Sequence, residues 1–316
     1  MQRKAASSAE VRRHLDRIRA FRGDSERLRE LALEVLPGEG NPELLAAGLR
    51  ALGPNIRLAD HPLVRAVYED FDRDGKKKDP GGSVRIEVLK VLWHLRHADD
   101  RDLAVRAART YETTLQGNGA MIRAAGLALL GVLDAVTATF RAVEILGIRD
   151  ADRMTAEPSL TAVRLLAANG ESAPLALYAH LNWRNDDLVE VVAECVRGLG
   201  SVPTAHLGGL LEHLAASDDD ALLLGLSDYV LEHRGDASAV ALAGQVFAVS
   251  GHDEVYGYLA ASVVASRDDA LMTAFLDSLK REAQPLKRKI AADALELAAP
   301  SAAVDEARAA LASRKP

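Results

Sequence analysis

The sequence predicts an all-α protein in which antiparallel helix pairs stack one on the next as an α-solenoid, and three observations carry this expectation. Hydrophobic residues make up 48% of the chain but aromatics only 4%, so Ala, Leu and Val fill the interior, which suits closely packed helices better than sandwiches or barrels. Beyond residue 83 the chain parses into amphipathic segments of about three to four turns joined by short polar turns, the pattern of helix hairpins. Aligning Ser83-Val84-Arg85 with Met121-Ile122-Arg123 and Ser159-Leu160-Thr161 gives two successive offsets of 38, the period of a helix-pair repeat. At 316 residues the chain also outgrows one ordinary core, which favours an elongated array or several domains. Strand signals are weak: Asp74-Gly75 runs into three lysines instead of an alternating apolar run.

Residues 1–71 read as an N-terminal helical cap or the opening repeats. Asn41-Pro42-Glu43 and Asp60-His61-Pro62 each set a cap residue and a proline ahead of an apolar run. Residues 72–83, with Lys76, Lys77, Lys78, Pro80, Gly81 and Gly82, read as a mobile polar loop or domain boundary. Residues 84–316 form the repeat array. Four stripes define its helices: Val84, Val88, Val91, Leu92, Leu95; Ile122, Ala125, Leu129, Leu130, Leu133; Leu207, Leu210, Leu211, Leu214; and Leu286, Ile290, Ala294, Leu297. Each spacing puts the apolar side chains on one helix face. Asp99-Asp100, Asp186-Asp187, Asp218-Asp219-Asp220 and Asp268-Asp269 precede apolar runs, where a carboxylate caps free N–H groups at the positive end of the helix dipole. Gly117, Gly170, Gly200, Gly235 and Gly251 stand where helices should stop.

On these residues the chain resembles the HEAT-repeat family. Ser83 to Leu95, Met121 to Leu133 and especially Asp186 to Gly200, reading DDLVEVVAECVRGLG, are similar to its acidic turn followed by valine, alanine and a closing Leu-Gly. The resemblance covers residues 83 to 314 and implies a right-handed α-solenoid. It names an architecture and not an activity. Arg85 and Arg123 match the family's usual basic position, whereas Thr161 and Glu190 depart from it, so a continuous Asp-Arg ladder is not expected.

The net charge of −7 is uneven: residues 182 to 279 hold 4 Arg and Lys against 16 Asp and Glu, a net of −12, whereas residues 1 to 109 hold 22 against 18, a net of +4. The acidic stretch repels phosphate backbones, and the basic arm attracts an anionic or acidic partner. Arg3, Lys4, Arg12 and Arg13 precede no apolar segment, so the N-terminus does not read as a secretory signal and a cytoplasmic location is expected. The most apolar stretch, Ala124 to Leu133, is half the length needed to cross a bilayer. Cys195 is the only cysteine, which rules out an intrachain disulfide. Its place on the stripe Leu188, Val191, Val192, Cys195, Leu199 makes it a core thiol and not a nucleophile.

Few constellations suggest chemistry. Asp70, Asp72 and Asp74 alternate before Gly75 as in a calcium loop, but Lys77 and Gly81 stand where an apolar residue and the closing bidentate glutamate belong, so metal binding is not expected. His94 and His97, with Asp99 or Asp100, lack a third strong ligand fixed by spacing. Gly117-Asn118-Gly119 completes neither glycine-rich phosphate template, and neither a nucleophile elbow nor a paired-histidine zinc motif occurs. No cofactor is expected. Trp183, between Asn182 and Arg184 in a turn, reads either as an interface anchor or as a lid on the local core. Arg106 and Arg109 lie on the second helix of the first clear repeat, which in HEAT-like arrays faces the concave side. They contact an acidic partner or pair with Asp102 or Glu112.

The leading expectation is a non-catalytic scaffold that binds another protein through its concave surface. One alternative is an enzyme resembling the HEAT-like alkylpurine DNA glycosylases, which needs a basic groove that the acidic segment disfavours. Another is a subunit resembling HEAT-like phycobilin lyases or chaperones, acting on a protein.

Overall fold

The computed structural model describes residues 8–21, 23–37, 41–114, 118–249, 251 and 253–313. Among them the chain forms nineteen α-helices and four short 3₁₀ turns with no strand, the one extended pairing being an isolated bridge between Ala151 and Pro158. None of the helices is long and apolar enough to cross a membrane. The chain divides into two compact units, Met1–Leu165 and Leu166–Pro316.

In the first unit the helices are α1 (Ser8–Ala20), α2 (Ser25–Val35), α3 (Pro42–Leu52), α4 (His61–Asp72), the single turn α5 (Gly75–Lys78), α6 (Ser83–Leu95), α7 (Arg101–Ala107), α8 (Ala120–Leu133) and α9 (Ala135–Gly147). α10 (Ser159–Ala168) runs across the division. α2 packs on α3, α3 and α4 pack on α6, α6 packs on α8, and α7 and α9 both lean on α8. The buried stripes follow the expected period: Val84, Val88, Val91 and Leu92 are buried on α6, and Ile122, Leu129 and Leu130 on α8. Asn41 accepts from Leu44 N with Pro42 in the first turn of α3, as its sequence signature indicates.

The division between the two units falls within α10, and residues 72–83 lie inside the first unit's span. They are mostly exposed, with a buried anchor: α5 occupies part of them, and Asp79, 1% exposed, accepts hydrogen bonds from Ser83 Oγ, Val84 N and Arg85 N. Asp79 supplies a buried ion-pair partner to Arg85, and composition alone cannot separate a segment with such an anchor from a linker.

The second unit contains α11 (Ser172–Asn182), α12 (Val189–Gly198), α13 (Thr204–Ala215), α14 (Asp220–Glu232), α15 (Ala237–Val249), α16 (Asp253–Ser266), α17 (Asp269–Leu279), α18 (Pro285–Glu296) and α19 (Ala302–Ser313). α12, α14, α16 and α18 each touch the next of their row, as do α11, α13, α15, α17 and α19, and sequential neighbours such as α11 and α12 or α18 and α19 join the rows. Leu207, Leu210, Leu211 and Leu214 are buried on α13. Asp219 caps α14 through Ala221 N and Leu222 N, and Asp268 caps α17 through Leu271 N.

Some local signals are reassigned. On α18, Leu286 and Leu297 are exposed, and the buried face is Lys287, Ala291, Ala294, Leu295 and Ala298. Asn185, not the following aspartate pair, caps the turn into α12 by accepting from Asp187 N. Asp100 precedes α7 but spends its carboxylate on His61 and Arg65. Left-handed stops occur at Gly170 and Gly235 but not at Gly200 or Gly251, while Arg96 ends α6 at φ 52°. Gly117 lies outside the described residues.

Candidate interaction surface

The 38-residue repeat reappears as a duplicated ion pair. α6 and α8 both start from a left-handed glycine, Gly82 and Gly119, and each then carries a fully buried arginine, Arg85 and Arg123. Arg85 donates to both Glu112 carboxylate oxygens at 2.8 Å and to Asp79 Oδ2 at 3.3 Å. Arg123 donates to Asp150 at 2.8 and 2.7 Å and to the carbonyls of Thr110 and Asn118 at 3.0 and 2.7 Å, with the Tyr111 ring 4.1 Å from its guanidinium. Glu112 and Asp150 are themselves 38 apart, so the repeat extends to the acid. Thr161 and Leu188 occupy the next equivalent positions, and the pair ends there. Bidentate hydrogen bonding satisfies the buried guanidinium, and it holds the Glu112 carboxyl below the usual range.

Of the two arginines expected at a binding face, Arg106 is engaged inside the first unit and Arg109 is exposed. Arg106 is half exposed and donates to Glu69 at 2.8 Å, with Asp72 at 3.8 Å. Arg141, buried, donates to Ala108 O and pairs with Glu144 at 2.6 Å, which holds that carboxyl below its ordinary value with Arg109 adding to the effect. Arg109 itself is exposed. The three alternating aspartates diverge: Asp70 binds Lys78 Nζ at 3.0 Å, Asp72 faces Arg106 and Arg85, and Asp74 lies 3.8 Å from Lys77. Burial pushes the Asp72 carboxyl up.

The two histidines also separate. His94 meets Trp93 edge-on, whereas His97 packs against His61 with the ring centres 4.3 Å apart and the planes tilted by 35°. His61 Nε2 lies 3.0 and 2.9 Å from the two oxygens of buried Asp100, which also accepts from Arg65 at 2.9 Å. Sequence reasoning missed this cluster because its members come from α4 and the turn before α7. Among the described residues no group of three or more His, Cys, Asp or Glu side chains is placed to hold a metal ion. In the second unit, Cys195 is fully buried and burial raises its thiol pKa. Trp183 follows α11 as its C-cap, half-buried, stacked on His213 at 4.6 Å with Arg184 over its ring at 4.3 Å.

The outer face of α9 is different in kind. Val136, Phe140 and Val143, at i, i+4 and i+7, are 69%, 73% and 39% exposed, while Ala138, Arg141, Ala142 and Ile145 on the opposite side are buried. Their spacing is visible in the sequence, but an exposed apolar stripe has the same period as a core stripe. An apolar groove of about 410 Å³ also opens in this unit, lined by Trp93, Met121, Ala124 and Ala128 among others.

Asp134 fixes where α9 begins. It accepts from Thr137 N at 3.0 Å, from Thr137 Oγ1 at 2.7 Å and from Arg101 Nε at 2.7 Å. These bonds, the backbone one first, hold its pKa down to about 2. A depressed carboxylate contributes stability above its unfolded pKa, and that contribution is lost as pH falls through the folded value. Asp134→Ala should therefore lower the thermal midpoint by a constant amount at neutral pH, with the gap from wild type closing between about pH 4 and pH 2. A gap unchanged at pH 2.5 would contradict the assignment.

No protein-family model, curated protein or solved structure matches the chain.

Proposed function

We propose that this chain is a non-catalytic protein-binding scaffold, its helix pairs stacked as a right-handed, HEAT-like α-solenoid within each unit. The observation that carries the binding reading is the α9 stripe. Three large apolar side chains line one helix face, with Phe140 73% exposed. Contiguous exposed apolar surface marks interaction sites, and aromatic anchors dominate interface energetics.

The helix order supports the architecture, and the 38-residue recurrence of Arg85–Glu112 in Arg123–Asp150 supports common descent of the two pairs from one repeat. The state of the cations favours a protein over a nucleic acid partner. Arg106, Arg123 and Arg141 bind carboxylates of the same unit. In the N-terminal helices Arg17 meets Glu34, Arg29 meets Asp60 and Arg57 meets Glu26. Phosphate binding needs cations able to release counterions, and these are already neutralised.

The test is quantitative affinity capture from the native host with tagged wild type and tagged Phe140→Asp. A charge at the centre of an apolar interface should reduce capture of the specific partner by roughly tenfold or more, with the circular dichroism spectrum and melting of the free protein unchanged. Equal capture by both proteins would remove α9 from the interface. Capture of nucleic acid alone would overturn the scaffold reading.

A further inference from the structure

The second unit holds an open cleft of about 880 Å³ between α15, α17 and the turn leading into α18. One wall is apolar, formed by Val240, Gly244, Phe247 and Ala274. At Gly244 a Cβ would meet nothing within 4 Å, so the cleft is open there. The other wall carries Lys287, which lines the cleft although only 2% of its surface is exposed.

Lys287 is poorly satisfied. Its nearest carboxylate oxygen is Glu282 Oε2 at 3.9 Å, beyond hydrogen-bond range, and the Tyr256 ring centre lies 5.3 Å away. No hydrogen bond from its ammonium exists among the described residues. The other Glu282 oxygen is already taken, accepting from Gln284 N at 2.7 Å. The stem is buried but the ammonium itself is not sealed from the cleft, so it is left without a protein acceptor and open to one that enters from the cleft.

A second feature converges on the same place. α18 starts with Pro285 behind Gln284, whose side chain makes no cap. The Lys287 amide therefore enters the first turn without an intrahelical acceptor, at the positive end of the helix, and Lys287 lines the cleft. Lys280 and Arg281 stand at the mouth, opposed by Asp277, which binds Lys280 at 2.6 Å, and by Glu282. Three cations against two carboxylates suit a single negative charge and penalise a dianion.

We infer that this cleft binds a small organic carboxylate, its head on Lys287 and the first turn of α18 and its short apolar body against Val240, Phe247 and Ala274. Binding would supply the missing acceptor and cover the apolar wall in one event. The site is separate from α9 and does not depend on the scaffold reading.

The test is isothermal titration of the full chain with straight-chain carboxylates from acetate to octanoate, with hexanol as the uncharged control. Hexanoate should bind with submillimolar affinity, and hexanol about tenfold more weakly or worse, since a hydrogen bond to a charged group is at stake. Lys287→Met should weaken hexanoate about tenfold or more on the same ground. Gly244→Leu leaves every charge in place and fills the open wall, so it too should abolish binding. If no carboxylate in the series binds, or if hexanoate binds Lys287→Met as tightly as wild type, the inference fails. Should Lys287→Met not fold, Gly244→Leu decides: loss of hexanoate binding in that variant supports the site, and undiminished binding overturns it.

Discussion

Arg123→Ala should destabilise the first unit by about 3–5 kcal/mol, the range for breaking a buried ion pair from one side. Arg123 is fully buried and serves four acceptors: both Asp150 oxygens and the carbonyls of Thr110 and Asn118. Removing it leaves a carboxylate that is only 10% exposed with no counter-charge and only the Tyr111 hydroxyl as donor, and it frees two carbonyls at once. The loss should appear as a fall of roughly 10 °C in the midpoint of that unit's transition. Because the cost comes mainly from the stranded charge, Arg123→Met combined with Asp150→Leu should recover most of it. The equivalent Arg85→Ala should behave alike, since Glu112 and Asp79 lose the same guanidinium. A shift of only one or two degrees in Arg123→Ala would mean that the duplicated pair is not what anchors α6 and α8.

Gly126→Val and Gly225→Val should each cost about 2–3 kcal/mol, in the range for overpacking. The reason is backbone proximity. A Cβ on Gly126 of α8 would lie 2.5 Å from Ala108 N, and one on Gly225 of α14 would lie 2.7 Å from Ala193 O. Neither neighbour is a side chain that can swing aside, so the helices must separate. The sign makes the test sharp, because replacing an exposed helical glycine normally stabilises a helix by about 0.5–1 kcal/mol. Gly209→Ala on α13, where a Cβ meets nothing within 4 Å, should show that gain, while Gly126→Ala should show a loss. Equal effects at Gly126 and Gly209 would contradict the close approach of α8 to the end of α7. The readout is the denaturation midpoint at constant slope.

Legibility followed how much each residue's role depends on its neighbours in sequence. The stripes on α6 and α13 were readable because leucine and valine recur there among polar residues at helical spacing, and α8 through its apolar run ending at Asp134. α18 was read only in part because it is rich in alanine and lysine: of the stripe Leu286, Ile290, Ala294 and Leu297, Ala294 is buried while Leu286 and Leu297 are exposed, and alanines form the close-packed face with the Lys287 stem. The basic positions Arg85 and Arg123 stood out through the 38-residue offset, but their acids lie 27 residues further on, beyond any local pattern. The same holds for His61 and Asp100, 39 residues apart, and for the Lys287 cleft, which three segments assemble. The burial of Asp79 against Arg85 was not legible for a related reason, since it sits in a polar segment with the composition of a linker. The α9 stripe was visible as a period, but whether that face is covered is decided by packing alone.

The central functional claim is that the outer face of α9 is covered when the protein does its work, and hydroxyl-radical footprinting of the captured complex against the free protein measures that directly. Phe140 is 73% exposed and Leu181 on α11 is 64% exposed, so both side chains label readily in the free chain. The account predicts that labelling of Phe140 falls several-fold in the complex, the behaviour of an anchor buried at an interface core, while Leu181 continues to label. Phe140 labelling at the same rate in the complex as in the free protein would contradict it.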